Sequence, residues 1–133
     1  MNPDGNERLT AAVGVLLLAP MVVEIATVQS PFNLADTSRA DLLAECEAHG
    51  IGFIPYRPLQ GGKLAEAGGA VAAAAKRHGA TRGQVALAWL LARSPAILPI
   101  PSTASAAHLE ENVAAASLCL DDNEVLAIAS AAG

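Results

Sequence analysis

Side chains able to hold an anionic ligand are concentrated in residues 100–112, IPSTASAAHLEEN. The apolar run before them, residues 96–100, is typical of a buried parallel strand, and Ser105 is a suitable N-cap for an alanine-rich helix over about 105–117. A chain that leaves a strand and enters a helix directs backbone N–H groups and the positive end of the helix dipole at one place, which suits a phosphate. Every βα unit contains such a loop, so the same hydroxyl residues can also be interpreted as simple helix caps.

The elements around this stretch alternate between strands and helices. Apolar and β-branched runs predict three strands, at 22–29, 51–55 and 96–100. Helical periodicity predicts five helices, at about 37–49, 70–78, 81–93, 105–117 and 121–131. This alternation favours βαβ units in a parallel sheet. Periodicity alone does not distinguish part of a closed barrel, which needs eight strands in ~250 residues, from a small open α/β sheet.

Capping residues mark where these helices begin and end. Thr37 and Ser38 are expected to open the first helix, and Gly79 follows the second where a C′ glycine belongs. Thr81 and Gln84 have the spacing of a capping box, and the acidic residues 121–124 are expected to cap the last helix. Residues 58–69 contain a proline and four glycines and indicate a loop.

Composition limits the functional classes. The 133 residues are 53% hydrophobic, which allows one packed domain, and the net charge of −5 argues against a nucleic-acid partner because no basic stripe is present. Cys46 and Cys119 lie far apart in the sequence and have neither metal-ligand nor redox spacing. We therefore expect no metal site and a reducing, cytoplasmic setting.

Residues 9–23 are the most apolar segment and raise the question of a membrane anchor or a targeting signal. The residues before them carry two acids against one arginine, the wrong charge for a secretory signal. Pro20 and Glu24 keep the run below the ~20 residues that a membrane span needs. We expect a helix over about 8–19, no membrane contact, and a division of the chain into residues 1–21, of uncertain role, and residues 22–133.

Four segments, in order, resemble the aldo-keto reductase family: Val28–Gln29 with residues 31–34, residues 50–59, residues 84–91 and residues 100–112. The resemblance extends over roughly residues 22–130 and matches the C-terminal part of that family's domain. It implies an α/β fold that is a partial TIM (β/α)8 barrel, made of about the last three βα units plus a C-terminal helix.

The resemblance also implies a site for a nicotinamide dinucleotide at the carboxyl ends of the strands. Gln29 would hold the nicotinamide carboxamide, and Tyr56 would stack on the nicotinamide ring. The other matched residues would cover the pyrophosphate (Arg57, Pro58, Leu59, Gly61, Lys63), hold the adenosine 2′-phosphate (Ser102, Thr103, His108) and bind adenine (Glu111, Asn112).

Each of these residues also has an ordinary structural interpretation. Gln29 can be a polar strand end, Tyr56 a core aromatic, and His108 a surface residue of a helix. The implied cofactor is NADP. NAD is also possible, because many family members have Lys or Arg in the phosphate clamp, where this sequence has Ser102 and His108.

The family's catalytic Asp, Tyr, Lys and His come from early strands of the barrel that have no counterpart in this sequence. We therefore expect no catalytic residue here and no carbonyl reduction by this chain alone. Three hypotheses follow: part of an NAD(P)H-dependent aldehyde or ketone reductase, a non-catalytic nucleotide-binding or interaction protein derived from it, or an unrelated small α/β fold. Open strand edges predict self-association or pairing with a chain that supplies the missing strands.

Overall fold

A computed structural model of the chain describes residues 22–66 and 68–131, together with Gly14 and Leu18. The helix predicted over about 8–19 therefore falls almost entirely outside the described residues. Within the described part of the chain, no helix is long and apolar enough to cross a bilayer.

A two-stranded parallel sheet forms the centre of the fold. Strand β1 (Thr27–Pro31) pairs with β2 (Gly52–Tyr56) in a register that runs from Thr27 opposite Gly52 to Pro31 opposite Tyr56. The predicted start of the first strand at residue 22 is wrong. The strand begins at Thr27 because its partner β2 begins at Gly52, which stands opposite Thr27 and whose N–H donates to the Ala26 carbonyl. No residue of β2 is left to pair with the chain before Ala26.

The third predicted strand, residues 96–100, is reduced to a single parallel bridge between Phe53 and Ile97. The Phe53 N–H donates to the Ala96 carbonyl (2.7 Å), and the Leu98 N–H donates to the Phe53 carbonyl (2.8 Å). Pro99 follows directly and has no N–H to donate, so the ladder does not extend. The described residues therefore contain two strands, with the third predicted strand replaced by the bridge at Ile97.

Residues 22–66 and 68–131 contain five α-helices: α1 (Ala40–Ala48), α2 (Gly69–His78), α3 (Arg82–Arg93), α4 (Ala106–Ala114) and α5 (Asp122–Ala131). Two 3₁₀ segments lie after β2 and after α4: Gln60–Glu66, which is interrupted by a kink with non-helical backbone at Gly61 and Gly62, and Ala115–Ser117.

Most of the predicted caps are present. Thr81 and Gln84 form the reciprocal capping box of α3, Ser105 accepts from the His108 N–H at the start of α4, and Gly79 closes α2 with φ 62°. The predicted start of α1 at Thr37–Ser38 is wrong. The Ser38 hydroxyl donates to the Asp36 carboxylate at 2.6 Å instead of capping a helix, and α1 begins at Ala40.

The core lies on one face of the sheet and is built around α3. Trp89 of this helix is 1% exposed, and its ring stacks on that of Phe32 with the centroids 6.4 Å apart. Phe32 in turn meets Phe53 of β2 edge to face at 5.8 Å. The Trp89 indole N–H donates to the Val125 carbonyl, which ties α3 to α5. These contacts link Phe53 of β2, through Phe32 just beyond the end of β1, to the middle of α3.

Candidate functional site

The chain leaves β2 through a loop with an unusual backbone. Arg57 and Gln60 have positive φ angles of 58° and 48°, and Gly61 and Gly62 follow with 65° and 95°. A left-handed conformation costs a residue with a side chain roughly 1–2 kcal/mol, whereas glycine adopts it readily. Strain of this kind persists only where neighbouring contacts enforce it.

Asn33, which lies just beyond the end of β1, supplies such a contact. Its side-chain amide donates to the Arg57 carbonyl at 3.2 Å, and the same carbonyl accepts the Gln60 N–H at 3.0 Å. Asn33 is only 3% exposed, and its side-chain oxygen accepts from the Ala35 N–H at 2.9 Å. The buried amide therefore holds the first residue of the loop from the neighbouring strand. The sequence analysis assigned Asn33 no role, although it lies in the matched segment 31–34, just after the predicted end of a strand.

A cavity of about 480 Å³ opens between this loop, the start of α3 and α4. Nine of the twelve predicted cofactor residues line it: Arg57, Pro58, Leu59, Gly61, Ser102, Thr103, His108, Glu111 and Asn112. Six further residues complete the lining: Gly62, Thr81, Gly83, Gln84, Ile100 and Pro101. Its volume falls in the range usual for small-molecule and cofactor sites.

A second cavity, of about 570 Å³, lies on the other side of the same loop. Tyr56 and Lys63, two of the remaining predicted residues, line it, and it shares Arg57 and Gly61 with the first cavity. These two residues of the loop are therefore accessible from either cavity.

Gln29, the twelfth predicted residue, lines neither of these two cavities. It stands opposite Ile54 in the parallel register, and Tyr56 follows two residues further along β2. Because side chains two apart on a strand share a face, Gln29 and Tyr56 project from the same side of the sheet. That side is the one that the core does not cover, and Leu98 and Ile100 are also exposed, at 53% and 47%.

The first cavity combines an anion-binding backbone with mixed charge. The Thr103 hydroxyl accepts from the Ser105 N–H at 3.1 Å, and Ser105 caps α4, so the positive end of that helix dipole is directed at the turn after Pro101. Arg57 brings a cation to the lining and Glu111 a carboxylate, and the His108 side chain also lines the cavity. This arrangement can bind an anion at one end and accept hydrogen bonds from a ligand at the other.

Outside these cavities, one charged cluster joins α2 to α5. The Glu124 carboxylate, 6% exposed, accepts from the His78 ring at 2.9 Å, from the Arg77 guanidinium and from the Asp121 N–H. The hydrogen bond from His78 is the largest cause of a lowered pKa for this carboxyl, followed by that from the Asp121 N–H. Glu124 lines neither cavity, so we assign the cluster to the fold. In the described part of the chain, no group of three or more His, Cys, Asp or Glu residues could hold a metal.

Comparison with known proteins addresses the family and the fold of the chain. A family model described as the aldo/keto reductase family matches residues 15–132. The chain is 46% identical over 109 residues to pyridoxine 4-dehydrogenase of Escherichia coli, covering 81% of this chain and 37% of that protein. It is 45% identical over 103 residues to an uncharacterized oxidoreductase of Schizosaccharomyces pombe, covering 77% of this chain and 33% of that protein. The chain thus spans about a third of the length of these relatives.

Solved structures are similar in fold as well. The crystal structure of an aldo/keto reductase from Klebsiella pneumoniae, in complex with NADP and acetate, superposes with a TM-score of 0.73 at 32% identity. The match covers 80% of this chain and 39% of that one.

Proposed function

Because this chain belongs to the aldo/keto reductase family, we propose that it contributes the cofactor-binding part of an NAD(P)H-dependent oxidoreductase that reduces aldehydes or ketones. One observation carries the proposal: nine of twelve residues matched to the family's cofactor contacts line a single cavity, although they come from segments up to 55 residues apart, from Arg57 to Asn112. The similarity to a reductase solved with NADP supports the same ligand.

The fold that we propose is a partial (β/α)8 barrel, made of about its last three βα units and a C-terminal helix. The parallel pairing of β1 and β2 and the bridge at Ile97 fit three consecutive strands of a barrel. The bare sheet face that carries Gln29 and Tyr56 would then be the barrel interior. In such a barrel, ligands bind at the carboxyl ends of the strands, where both cavities lie.

We place the adenosine end of the cofactor in the first cavity and the nicotinamide end beside Tyr56 and Gln29. The cavity floor at Ser102, Thr103 and the start of α4 provides hydroxyls, backbone N–H groups and a helix dipole for a 2′-phosphate. NADP is the favoured cofactor and NAD remains an alternative, because His108 carries a positive charge only when protonated.

Carbonyl reduction also needs a proton donor close to the reacting carbonyl. None of the residues around the two cavities is proposed as that donor, and Tyr56 is assigned to stacking. We place the acid and its partners in the part of the domain that the relatives have beyond the length this chain spans. The alternative function is a non-catalytic nucleotide-binding protein of the same family. The free thiols of buried Cys46 and exposed Cys119 fit a reducing compartment such as the cytoplasm.

The exposed apolar residues define the proposed partner. Leu98 and Ile100 on the sheet and Leu109 and Val113 on α4 are 47–68% exposed. A chain or chain segment that supplies the remaining barrel units would cover them, and a second copy of this chain is the other candidate.

The first test is fluorescence titration of the purified chain with NADPH and NADH, with size-exclusion chromatography at several concentrations. We expect binding that weakens about tenfold in Asn112→Ala and in Gln29→Ala, since each removes hydrogen bonds to the ligand. Glu110→Ala is the matched control, because Glu110 is an exposed residue of α4 that lines neither cavity. A folded chain that binds neither dinucleotide would refute the proposal. A sharp monomeric transition independent of concentration would refute the proposed association.

A further inference from the structure

Gln84 makes side-chain hydrogen bonds to two different elements. Its Oε1 accepts the Thr81 N–H at 2.9 Å, which is half of the capping box of α3. Its Nε2 donates to the Glu111 carbonyl of α4 at 3.1 Å. The two partners also fix the orientation of the amide, because a backbone N–H must face the oxygen and a carbonyl must face the nitrogen. One side chain therefore joins the start of α3 to the body of α4.

Helix α4 has few buried contacts of its own, although it continues directly into Ala115, which is 1% exposed and belongs to the core. None of its nine residues is buried, and its larger apolar residues, Leu109 and Val113, are 55% and 68% exposed. The Glu111 carbonyl accepts two hydrogen bonds, one from the Ala115 N–H at the end of the helix and one from the Gln84 amide. A helix that buries no side chain depends on such polar contacts for its position, since burial contributes little to docking it.

We propose that Gln84 is a positioning residue for the adenosine end of the cofactor site. Its amide holds α4 against the first turn of α3 and so sets the distance from the loop after β2 to Glu111 and Asn112 across the cavity. Its capping role and its positioning role use different atoms, Oε1 and Nε2, and can be separated by substitution. The inference rests on the proposed function, because it assigns an effect on nucleotide binding.

Gln84→Glu separates the two roles. The carboxylate keeps an oxygen for the Thr81 N–H, as in the glutamate form of the capping box, and loses the donor to Glu111. We expect NADPH and the fragment 2′,5′-ADP to bind about 3- to 10-fold more weakly, as for the loss of one hydrogen bond. Binding of reduced nicotinamide mononucleotide, a probe of the other end of the site, should not change. The midpoint of urea unfolding should fall by no more than the loss of this one hydrogen bond explains.

Two further variants distinguish the lost hydrogen bond from charge repulsion and from a general loss of stability. Gln84→Met has no donor and no charge; if it binds as tightly as the parent, the effect of Gln84→Glu is charge repulsion and the proposal is wrong. Asp121→Ala removes the cap of α5, where the Asp121 carboxylate accepts the Glu124 N–H at 2.8 Å, and Asp121 lines neither cavity. It should lower stability without changing affinity for 2′,5′-ADP in the folded protein. Equal affinity losses in Asp121→Ala and Gln84→Met would show a general stability effect and overturn the positioning role.

Amide hydrogen exchange tests the tether without any nucleotide. Gln84→Glu should speed exchange at residues 110–114 by about 3- to 10-fold and leave the later turns of α3 unchanged. Unchanged protection of α4 would overturn the proposal even if the chain binds NADPH. If the parent binds no nucleotide but the exchange result holds, the proposed function fails while the tether stands.

Discussion

Helices α3 and α4 follow each other on the cavity wall and differ sharply in burial. Seven of the twelve residues of α3 are buried, and none of the nine residues of α4 is. The difference does not come from a lack of apolar residues, because α4 carries Leu109 and Val113 four positions apart on one face. It comes from neighbours: α3 contacts α2, α5 and the core behind the sheet, while the apolar face of α4 has no described element against it.

The candidate cofactor site lies on the boundary between these two regions. The loop after β2 and the start of α3 belong to the packed region, while His108, Glu111 and Asn112 belong to α4. Ligand affinity should therefore respond to changes that hardly affect folding, and folding should respond to changes that leave the cavity intact. Three unfolding experiments test how the packed region and the cavity wall differ in their contribution to stability.

The largest effect is expected from Trp89→Ala in the packed region. It removes the stacking on Phe32 and the hydrogen bond to Val125, and should lower the free energy of unfolding by about 3–5 kcal/mol. The matched change on the other helix is Leu109→Ala, which should cost less than about 0.5 kcal/mol because the side chain is already 55% exposed. Urea unfolding of both variants measures the contrast. A comparable loss in Leu109→Ala would mean that another surface covers α4 in solution.

An intermediate effect is expected from Glu124, which belongs to the packed region. Its pKa is lowered in the folded state by the hydrogen bonds from His78 and the Asp121 N–H, so the unfolded state binds a proton more readily. The resulting stability is present above the ordinary carboxyl pKa of about 4.3 and is lost as pH falls through the lower folded value. Glu124→Gln should cost about 2 kcal/mol at pH 7 and flatten the acid limb of the stability curve. An acid limb as steep as the parent's would assign the pH dependence to other carboxyls.

The smallest of the three destabilising effects, about 1 kcal/mol from the lost hydrogen bond, is expected from Asn33→Asp at the cavity. The substitution keeps the oxygen that accepts from Ala35 and loses the donor to the Arg57 carbonyl. Arg57→Gly in the same background should recover part of the loss, because glycine adopts a φ of 58° without strain. Ser38→Ala, in the same turn but without contact to Arg57, is the control. Thermal unfolding of the single and double variants measures these changes in stability. If the double variant is no more stable than Asn33→Asp alone, this account is wrong.

Local pattern was sufficient for much of the fold. The capping box of α3, the Ser105 cap, the left-handed Gly79 and the reciprocal bonds of Asp121 and Glu124 were all predictable from sequence. Each of these interactions joins residues within four positions of one another, so both partners are visible in one short segment. The family resemblance identified the residues around the cavity in the same way, because each of them lies in a short sequence motif.

The amino-acid sequence by itself thus determined the order of the helices, the parallel pairing of the strands and the family. Only the tertiary structure decided which contacts hold the site: Asn33 lies 24 positions from Arg57, and Gln84 lies 27 positions from Glu111. It also reduced the third strand to a bridge and left α4 without buried residues. Such features depend on where distant segments of the chain meet. The packing of Trp89, Phe32 and Phe53 sets these meeting points, and no local sequence pattern specifies that packing.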